Sequence, residues 1–425
     1  MKNRSTQLSI LAVAMALGTA WAVRGKFGHE QGAAWAGAIG ALSLILVARR
    51  QDWHGKAFRI LMAAAFGWGI SGVMSYGAVV GYGRSSDFGN AFYGLLMLFV
   101  LGVLYGFIGG GFTGLALADT KAFRVKWHAL ITQMVAMGLL AYGVLILQLE
   151  WLMTPPRSEM WASCLGAAIA LAWYIRRHHQ TSVMKVAVWS ALGAGFGFAF
   201  GNFLQVVGNA SGVHFNFWNV MEYSIGFFGG AGMAYGTFNS SWPAAEPPDN
   251  AKAEWIPLVF VTLLVPFVVW QQSFVTDRFD FILKDGGSES VVIVMKLIAI
   301  AAILLVATVT MARLYSLGEQ KIPSDRAAFL KVYFILYTGL YIILSFLVTG
   351  LFVHPPEQYL YIVNMIVILA LMSQVSGIFA PQAEKPRLWI TVTAICISVI
   401  ALLALIAINS HDEIPGSKRR FETLF

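Results

Sequence analysis

Apolar stretches of about 20 residues, separated by short polar loops, follow one another through this sequence, and a helix of that length crosses a hydrocarbon core of about 30 Å. Hydrophobic residues make up 58% of the 425 positions and charged residues only 12%. Soluble globular proteins carry about 45–50% apolar and about 25% charged residues. The sequence therefore predicts an all-α, polytopic transmembrane helical bundle surrounded by a lipid bilayer, with no separate soluble domain.

The apolar runs predict about thirteen membrane spans, at about the helix length that a bilayer requires. The first eight are expected at residues 7–23, 31–48, 58–81, 91–118, 129–149, 160–175, 186–207 and 218–238. The other five are expected at residues 255–271, 290–311, 330–352, 358–379 and 388–408.

Basic residues cluster at the ends of apolar runs, in alternate loops. Because cytoplasmic loops carry an excess of Lys and Arg, this pattern predicts a cytoplasmic N-terminus, and the net charge of +8 does not indicate nucleic-acid binding. Lys418-Arg419-Arg420 then falls outside, against the rule. Short loops and the lack of a targeting extension favour the inner (plasma) membrane of a bacterium. A cleavable signal peptide is the less favoured interpretation of the N-terminus, because the next span follows almost at once.

Three landmarks recur in the same order within the first 240 residues. Arg49-Arg50 recurs as Arg176-Arg177, Gly67 and Gly69 recur as Gly195 and Gly197, and the glycine block 106–110 recurs at 226–230. We therefore expect two parallel four-helix repeats, residues 1–120 and 121–240, related by an axis along the membrane normal. A proline-rich cytoplasmic linker, 241–254, and a five-helix region, 255–425, follow. Chance similarity between glycine-rich helices is the alternative.

Glycines recur at steps of three or four residues in the fourth and eighth predicted spans. Small residues at this spacing allow close approach of helix backbones in lipid, so tight packing is the favoured interpretation. The alternative is that the glycines line a pathway or break a helix, for which Gly109-Gly110-Gly111 is the candidate.

Polar and titratable residues are concentrated where the first span ends and the second begins. Arg24, Lys26, His29 and Glu30 lie within this short stretch. One interpretation is structural: Glu30 caps the second helix, and the two cations solvate the loop. The other is a binding cluster in which Arg24 and Lys26 hold an anionic group while His29 and Glu30 relay a proton.

A second group of polar residues lies within the seventh and eighth spans. Asn202 and Gln205 share one helix face, and Asn219 and Glu222 share another. A charged side chain at the centre of a membrane helix costs about 2.5–3.5 kcal/mol on insertion scales, so such residues usually face a bundle interior or a watery cavity. Glu222 is the strongest functional candidate. Lys296 either snorkels to the interface or neutralises an acid such as Glu222.

The sequence carries no specific motif for a cofactor, a metal or a nucleophile. It contains no His-Glu-x-x-His helix and no Gly-x-Ser-x-Gly turn, and its two cysteines lie inside apolar runs. We therefore expect no cofactor, no metal and no catalytic residues.

Parallel repeats, glycine-rich helices and buried polar residues are typical of transporter cores. The leading hypothesis is a secondary transporter or facilitator of a small polar solute, neutral or anionic, bound near the outer leaflet by Arg24, His29, Glu30, Asn202, Gln205, Asn219 and Glu222. His29 and Glu222 are the candidates for proton coupling. The alternatives are an integral-membrane transferase acting on a lipid-linked or periplasmic glycan, and a non-catalytic membrane assembly partner.

Overall fold

The structure, a computed structural model, describes residues 2–243, 254–280, 282, 288–317, 323–375, 377 and 387–422. All regular secondary structure in these ranges is helical, and no strand occurs within them. The predicted all-α fold is confirmed.

The helices up to residue 240 are α1 (Lys2–Arg24), α2 (His29–Ala48), α3 (Ala57–Ser71), α4 (Gly77–Gly83), α5 (Phe88–Ala118), α6 (Trp127–Tyr142), α7 (Trp161–Arg177), α8 (Thr181–Ala210) and α9 (Phe217–Phe238). A single helical turn, Gln51–His54, lies between α2 and α3, and α6 continues as a π-helical segment, Gly143–Gln148. The later helices are α10 (Trp255–Ser273), α11 (Glu289–Leu317), α12 (Pro323–Ser345), α13 (Pro356–Gln374) and α14 (Leu388–Ile408).

Among the described residues, 10 helices are long and apolar enough to cross a bilayer. Three of the predicted spans do not correspond to one of these helices. The span expected at 58–81 is divided into α3 and α4, and α7 has only 17 residues. The third, α9, has 22 residues, but its glycines and polar side chains lower its mean hydropathy.

The core of the bundle is formed by the N-terminal helices. α8 packs between α5 and α9, and α1 packs against α2 and α9. The most apolar window of α2 is 89% buried inside the bundle, whereas those of α13 and α14 are each 22% buried. α2 is therefore a central helix, and most of the surface of α13 and α14 is left to face lipid.

Glycines allow the central helices to approach closely. A Cβ atom on Gly106 would lie 2.1 Å from the carbonyl oxygen of Ser190 in α8, and one on Gly226 would lie 2.5 Å from that of Leu17 in α1. The packing interpretation of the glycine stripes is thus confirmed at these positions. The predicted break at Gly109-Gly110-Gly111 is wrong, because α5 is helical throughout.

The two ends of the bundle are named here after one residue each. The Arg24 end is the one at which Arg24, Tyr76 and Glu222 lie, and the Lys56 end is the one at which Lys56, Asp119 and Arg326 lie.

Most of the predicted linker, residues 244–253, lies outside the described residues. At its start, the carbonyl oxygens of Trp242 and Pro243 accept hydrogen bonds from Arg50.

Candidate functional site

The third predicted span is interrupted at the Arg24 end. α3 ends at Ser71, α4 begins at Gly77, and the residues between them form a turn and extended backbone. Gly72 packs directly against the start of α2, where an added Cβ atom would lie 2.6 Å from the Cα atom of Glu30. The absence of a side chain at Gly72 therefore allows the interrupted segment to lie against α2, with Tyr76 immediately before α4.

Arg24 and Glu222 form a buried ion pair beside this break. Arg24 lies in the last turn of α1, and Glu222 lies in the second turn of α9. Arg24 Nη1 is 2.6 Å from Glu222 Oε2, and the two side chains are only 2% and 1% exposed. A cation in the last turn of a helix interacts favourably with the helix dipole, so the end of α1 stabilises the charge of Arg24.

Tyr76 and Trp218 complete the coordination of the carboxylate. The Tyr76 hydroxyl accepts a hydrogen bond from Arg24 Nη1 at 2.9 Å and donates one to Glu222 Oε1 at 2.7 Å. Trp218 Nε1 donates to the same carboxylate oxygen at 3.2 Å. Since each of these partners of Glu222 is a donor, both carboxylate oxygens act as acceptors, which is the arrangement of an ionised carboxylate.

The contact between Arg24 and His29 fixes the tautomer of the imidazole. Arg24 Nη2 lies 2.6 Å from His29 Nδ1. An arginine has only donors and stays charged in proteins, so Nδ1 must be the acceptor and the proton of the neutral ring must be on Nε2. His29 is exposed whereas Arg24 is buried. The imidazole is therefore the water-facing contact of the guanidinium. We call Arg24, His29, Tyr76, Trp218 and Glu222 the Arg24 cluster.

The predicted site residue Asn219 has a structural contact within the bundle. Its Nδ2 donates to the carbonyl oxygen of Ala22 at 2.8 Å, and the Tyr361 hydroxyl donates to the same oxygen at 3.3 Å. Carbonyl groups in the last turn of a helix lack a partner within the helix. Asn219 thus caps α1 and holds Arg24 in place from behind.

Asn202 and Gln205 lie one layer away from the ion pair. Both are buried, and Asn202 Nδ2 donates to Gln205 Oε1 at 3.3 Å. Asn202 Oδ1 has no hydrogen-bond partner among the described residues and lies against Gly83 in α4, where an added Cβ atom would be 2.0 Å away. The predicted convergence with Glu222 is therefore indirect: Asn202 contacts α4, the helix that follows the break, and Gln205 contacts Asn202.

Two other predicted residues do not join the cluster. Glu30 is exposed in the first turn of α2, and its backbone packs against Gly72. Lys26 lies with its Nζ 3.1 Å from Glu357 Oε1, which also accepts a hydrogen bond from Asn216 at 2.8 Å. Lys26 is thus engaged by a protein carboxylate.

Of the two interpretations of Lys296, the alternative in which it neutralises Glu222 does not hold. Lys296 Nζ lies 5.9 Å from the centroid of the Phe279 ring, and Arg24 is the cation that neutralises Glu222. Both charges of the pair lie within the first 240 residues, which also supply most of the buried core.

The C-terminal tail lies across the Arg24 end and contacts α4. Lys418 N donates to the carbonyl oxygen of Gly81 at 2.9 Å, and the backbone N–H groups of Arg420 and Phe421 donate to Asn90 Oδ1. Arg84, which follows α4, donates to the carbonyl oxygen of Pro415 at 3.3 Å. The basic tail is thus at the same end as the cluster, as the alternation of predicted loops requires.

The sequence prediction missed Tyr76, Trp218 and Glu357. Trp218 precedes Glu222 by one helical turn, so helical spacing could have identified it. Tyr76 sits in a polar and glycine-containing interruption of an apolar run, which is a weak signal of a broken helix. Glu357 follows two prolines at a predicted helix start and gives no signal of its distant partner.

Within the described ranges, no group of three His, Cys, Asp or Glu side chains is placed to hold a metal ion. Comparisons of the chain with protein-family models, with curated proteins and with solved structures found no match. Function is therefore inferred from the geometry of the Arg24 cluster.

Proposed function

We propose that the protein is a secondary transporter or facilitator of a small polar solute, and that the solute binds at the Arg24 cluster. The observation that carries this proposal is the buried ion pair of Arg24 and Glu222, which lies at the break of a predicted membrane helix and is bridged by the Tyr76 hydroxyl. Irregular backbone at membrane depth is tolerated where it is buried in protein or lines a water-filled cavity, and discontinuous helices form the binding sites of many transporters.

Arg24 is the residue proposed to contact the solute. Its Nη1 donates to Tyr76 and Glu222 and its Nη2 contacts His29, while its buried Nε has no hydrogen-bond partner among the described residues. The guanidinium therefore retains donor capacity for the oxygen of a neutral or anionic solute. Movement of α4 would withdraw the Tyr76 hydroxyl from Arg24 and Glu222 and so make room for the solute beside both groups. If the solute then replaces Glu222 on Arg24, a proton taken up from water by Glu222 would neutralise the carboxylate. His29, exposed at the edge of the cluster, is the group that water reaches first.

We further propose the parallel-repeat organisation, with the Arg24 end outside a bacterial inner membrane and the N-terminus inside. In support, Gly67 of α3 packs on Ile108 of α5, and Gly197 of α8 packs on Ser224 of α9, so the third helix contacts the fourth in each half. The halves differ in other contacts, because Gly106 packs on α8 whereas its counterpart Gly226 packs on α1.

The test is solute flux into proteoliposomes, measured with radiolabelled amino acids, small carboxylates and polyols. Tyr76→Phe removes two hydrogen bonds to charged groups, each worth about 1.5–3 kcal/mol, so flux should fall at least tenfold. Tyr337→Phe is the matched control, since it removes a buried hydroxyl that donates to the carbonyl oxygen of Val261 and contacts no member of the cluster, and it should change flux less than twofold. For the carboxylates, Glu222→Gln is the test variant and should lower flux, because Glu222 belongs to the cluster. Glu357→Gln is its control, because Glu357 lies outside the cluster.

Equal loss of flux in both members of each pair would contradict a role specific to the cluster. Chemical conversion of a solute by detergent-solubilised protein, with no flux in proteoliposomes, would replace the transporter proposal by the transferase alternative. Size-exclusion chromatography of every variant separates loss of function from loss of folding.

A further inference from the structure

A groove lies between α11 and α12 at the Lys56 end of the bundle. Its volume is about 610 Å³, within the range of small-ligand clefts. The first turns of α12 form one side of the groove. Arg326, in the first turn, donates a hydrogen bond to the carbonyl oxygen of His54 and so holds this end of α12 in position. The apolar side chains of Val309, Val332 and Leu336 line the groove, and Arg313 and Ser316 lie towards the helix ends that meet there.

The hydroxyl groups in the wall of the groove already have partners. Thr310 Oγ1 donates to the carbonyl oxygen of Val306 at 2.6 Å, and Ser316 Oγ donates to that of Arg313 at 2.9 Å. The Tyr333 hydroxyl shares a hydrogen bond of 2.8 Å with Thr262. The wall therefore presents a largely apolar surface to an occupant.

Arg313 is the exception. Its side chain is exposed, and within the described part of the chain its guanidinium makes no hydrogen bond or ion pair. Tyr315, two residues further on, is 78% exposed near the end of α11. Exposed aromatic and basic side chains near the end of a membrane helix lie at the level of the lipid headgroups. Arg313 is thus a cation at headgroup depth, beside an apolar groove that runs into the membrane.

We propose that this groove binds one anionic phospholipid, with its phosphate on Arg313 and the upper part of an acyl chain against Val309, Val332 and Leu336. A guanidinium matches the geometry of a phosphate and forms charge-assisted hydrogen bonds with it. A zwitterionic lipid brings its own cation close to the phosphate, so it gains less from Arg313. Basic pockets between membrane helices are recognised sites for anionic headgroups.

Native mass spectrometry of the full-length protein tests this proposal. The protein is released from nanodiscs that contain equal amounts of phosphatidylglycerol and phosphatidylcholine with identical acyl chains. The wild type should retain one phosphatidylglycerol in preference to phosphatidylcholine by at least fivefold. Arg313→Gln should abolish the preference, and Arg313→Lys should retain part of it. Val332→Trp, which fills the groove and keeps the cation, should also remove the bound lipid.

Arg4→Gln is the matched control, because Arg4 is an exposed cation near the start of α1 and does not line the groove. It should leave the lipid preference unchanged. Equal retention of the two lipids by the wild type would overturn the proposal, and so would an unchanged preference in Arg313→Gln. If Val332→Trp does not fold, the comparison of the Arg313 variants with Arg4→Gln still decides between these outcomes.

Discussion

The two ends of the bundle each hold a buried carboxylate, and the two carboxylates are held in different ways. Glu222, at the Arg24 end, is paired with one fully buried cation and two neutral donors. Glu254, at the Lys56 end, lies 2.8 Å from Arg59 and 4.0 Å from Arg326, and it accepts a hydrogen bond from the backbone of Phe58 at 3.1 Å. Those two arginines are 19% and 30% exposed.

The difference concerns the exposure of the paired cations to water and the elements that each carboxylate joins. At the Lys56 end, burial raises the pKa of Glu254, and nearby arginines act against that shift. The carboxylate joins the starts of α3, α10 and α12, so it fixes three helix ends. At the Arg24 end, the carboxylate joins two helices to the break between α3 and α4. The first arrangement ties three helix ends together, whereas the second ties two helices to the irregular segment between α3 and α4.

The largest expected effect follows from removing each carboxylate. Glu222→Gln leaves Arg24 buried without a counter-charge, which should lower the free energy of unfolding by about 3–5 kcal/mol. Glu254→Gln leaves two cations that are partly exposed, and we expect a loss of about 1–2 kcal/mol. Reversible unfolding in mixed micelles measures both values.

The double variant Arg24→Met/Glu222→Gln is the control for this comparison. It removes the unpaired charge, so it should regain most of the stability that Glu222→Gln loses. Equal losses for the two single variants, or no recovery in the double variant, would mean that the two ends do not differ as described.

The next effect concerns the pH dependence of the Lys56 end. Lys56 Nζ donates to the carbonyl oxygen of Leu117 at 2.8 Å and to that of Asp119, and burial lowers its pKa from the usual 10.5 to about 8. The folded protein thus releases this proton at lower pH than the unfolded chain. The contribution of Lys56 to stability should be constant below pH 8 and should rise between pH 8 and 10.5 by about 2–3 kcal/mol.

Unfolding of the wild type and of Lys56→Met at pH 7.5 and pH 10 measures this contribution. The increase should be absent in Lys56→Met. A wild-type stability that falls over this interval, or an increase that persists in the variant, would refute the assignment.

The smallest effect concerns the break itself. Gly72→Ala would place a Cβ atom 2.6 Å from backbone atoms of α2, and we expect a loss of about 1–3 kcal/mol from the forced separation. Gly77→Ala, in the first position of α4, meets nothing within 4 Å and should stabilise the protein by about 0.4–1 kcal/mol. A similar change in both variants would show that the segment does not pack on α2.

Most of the helices could be predicted from the sequence, because a run of apolar residues as long as a bilayer is thick has few other ways to satisfy its backbone. The position of the break could not. Gly109-Gly110-Gly111 contains more consecutive glycines than the segment around Gly72, yet α5 continues through it while the backbone at Gly72 leaves the helix. Glycine is compatible with both a continuous and an interrupted helix, and packing against the neighbouring helix, α2 in the case of Gly72, selects one of them.

The candidate site was predicted in part. Arg24, His29 and Glu222 stood out because charged and titratable groups are rare in this chain, and the structure brings these three together. Their pairing could not be predicted, since Arg24 and Glu222 are 198 positions apart in the sequence and nothing local to either residue identifies its partner. The amides Asn202 and Gln205 lie near the cluster without joining it.

The sequence by itself determined that this chain forms apolar helices and that a few polar groups must be buried among them, because composition and the 3.6-residue helical period are local properties. Only the tertiary structure decided which cation meets Glu222, where the third helix breaks and which loops meet the C-terminal tail. These results depend on contacts between distant segments, where the fit of a neighbouring backbone and the cost of an unpaired buried charge select one arrangement among many that the local sequence allows.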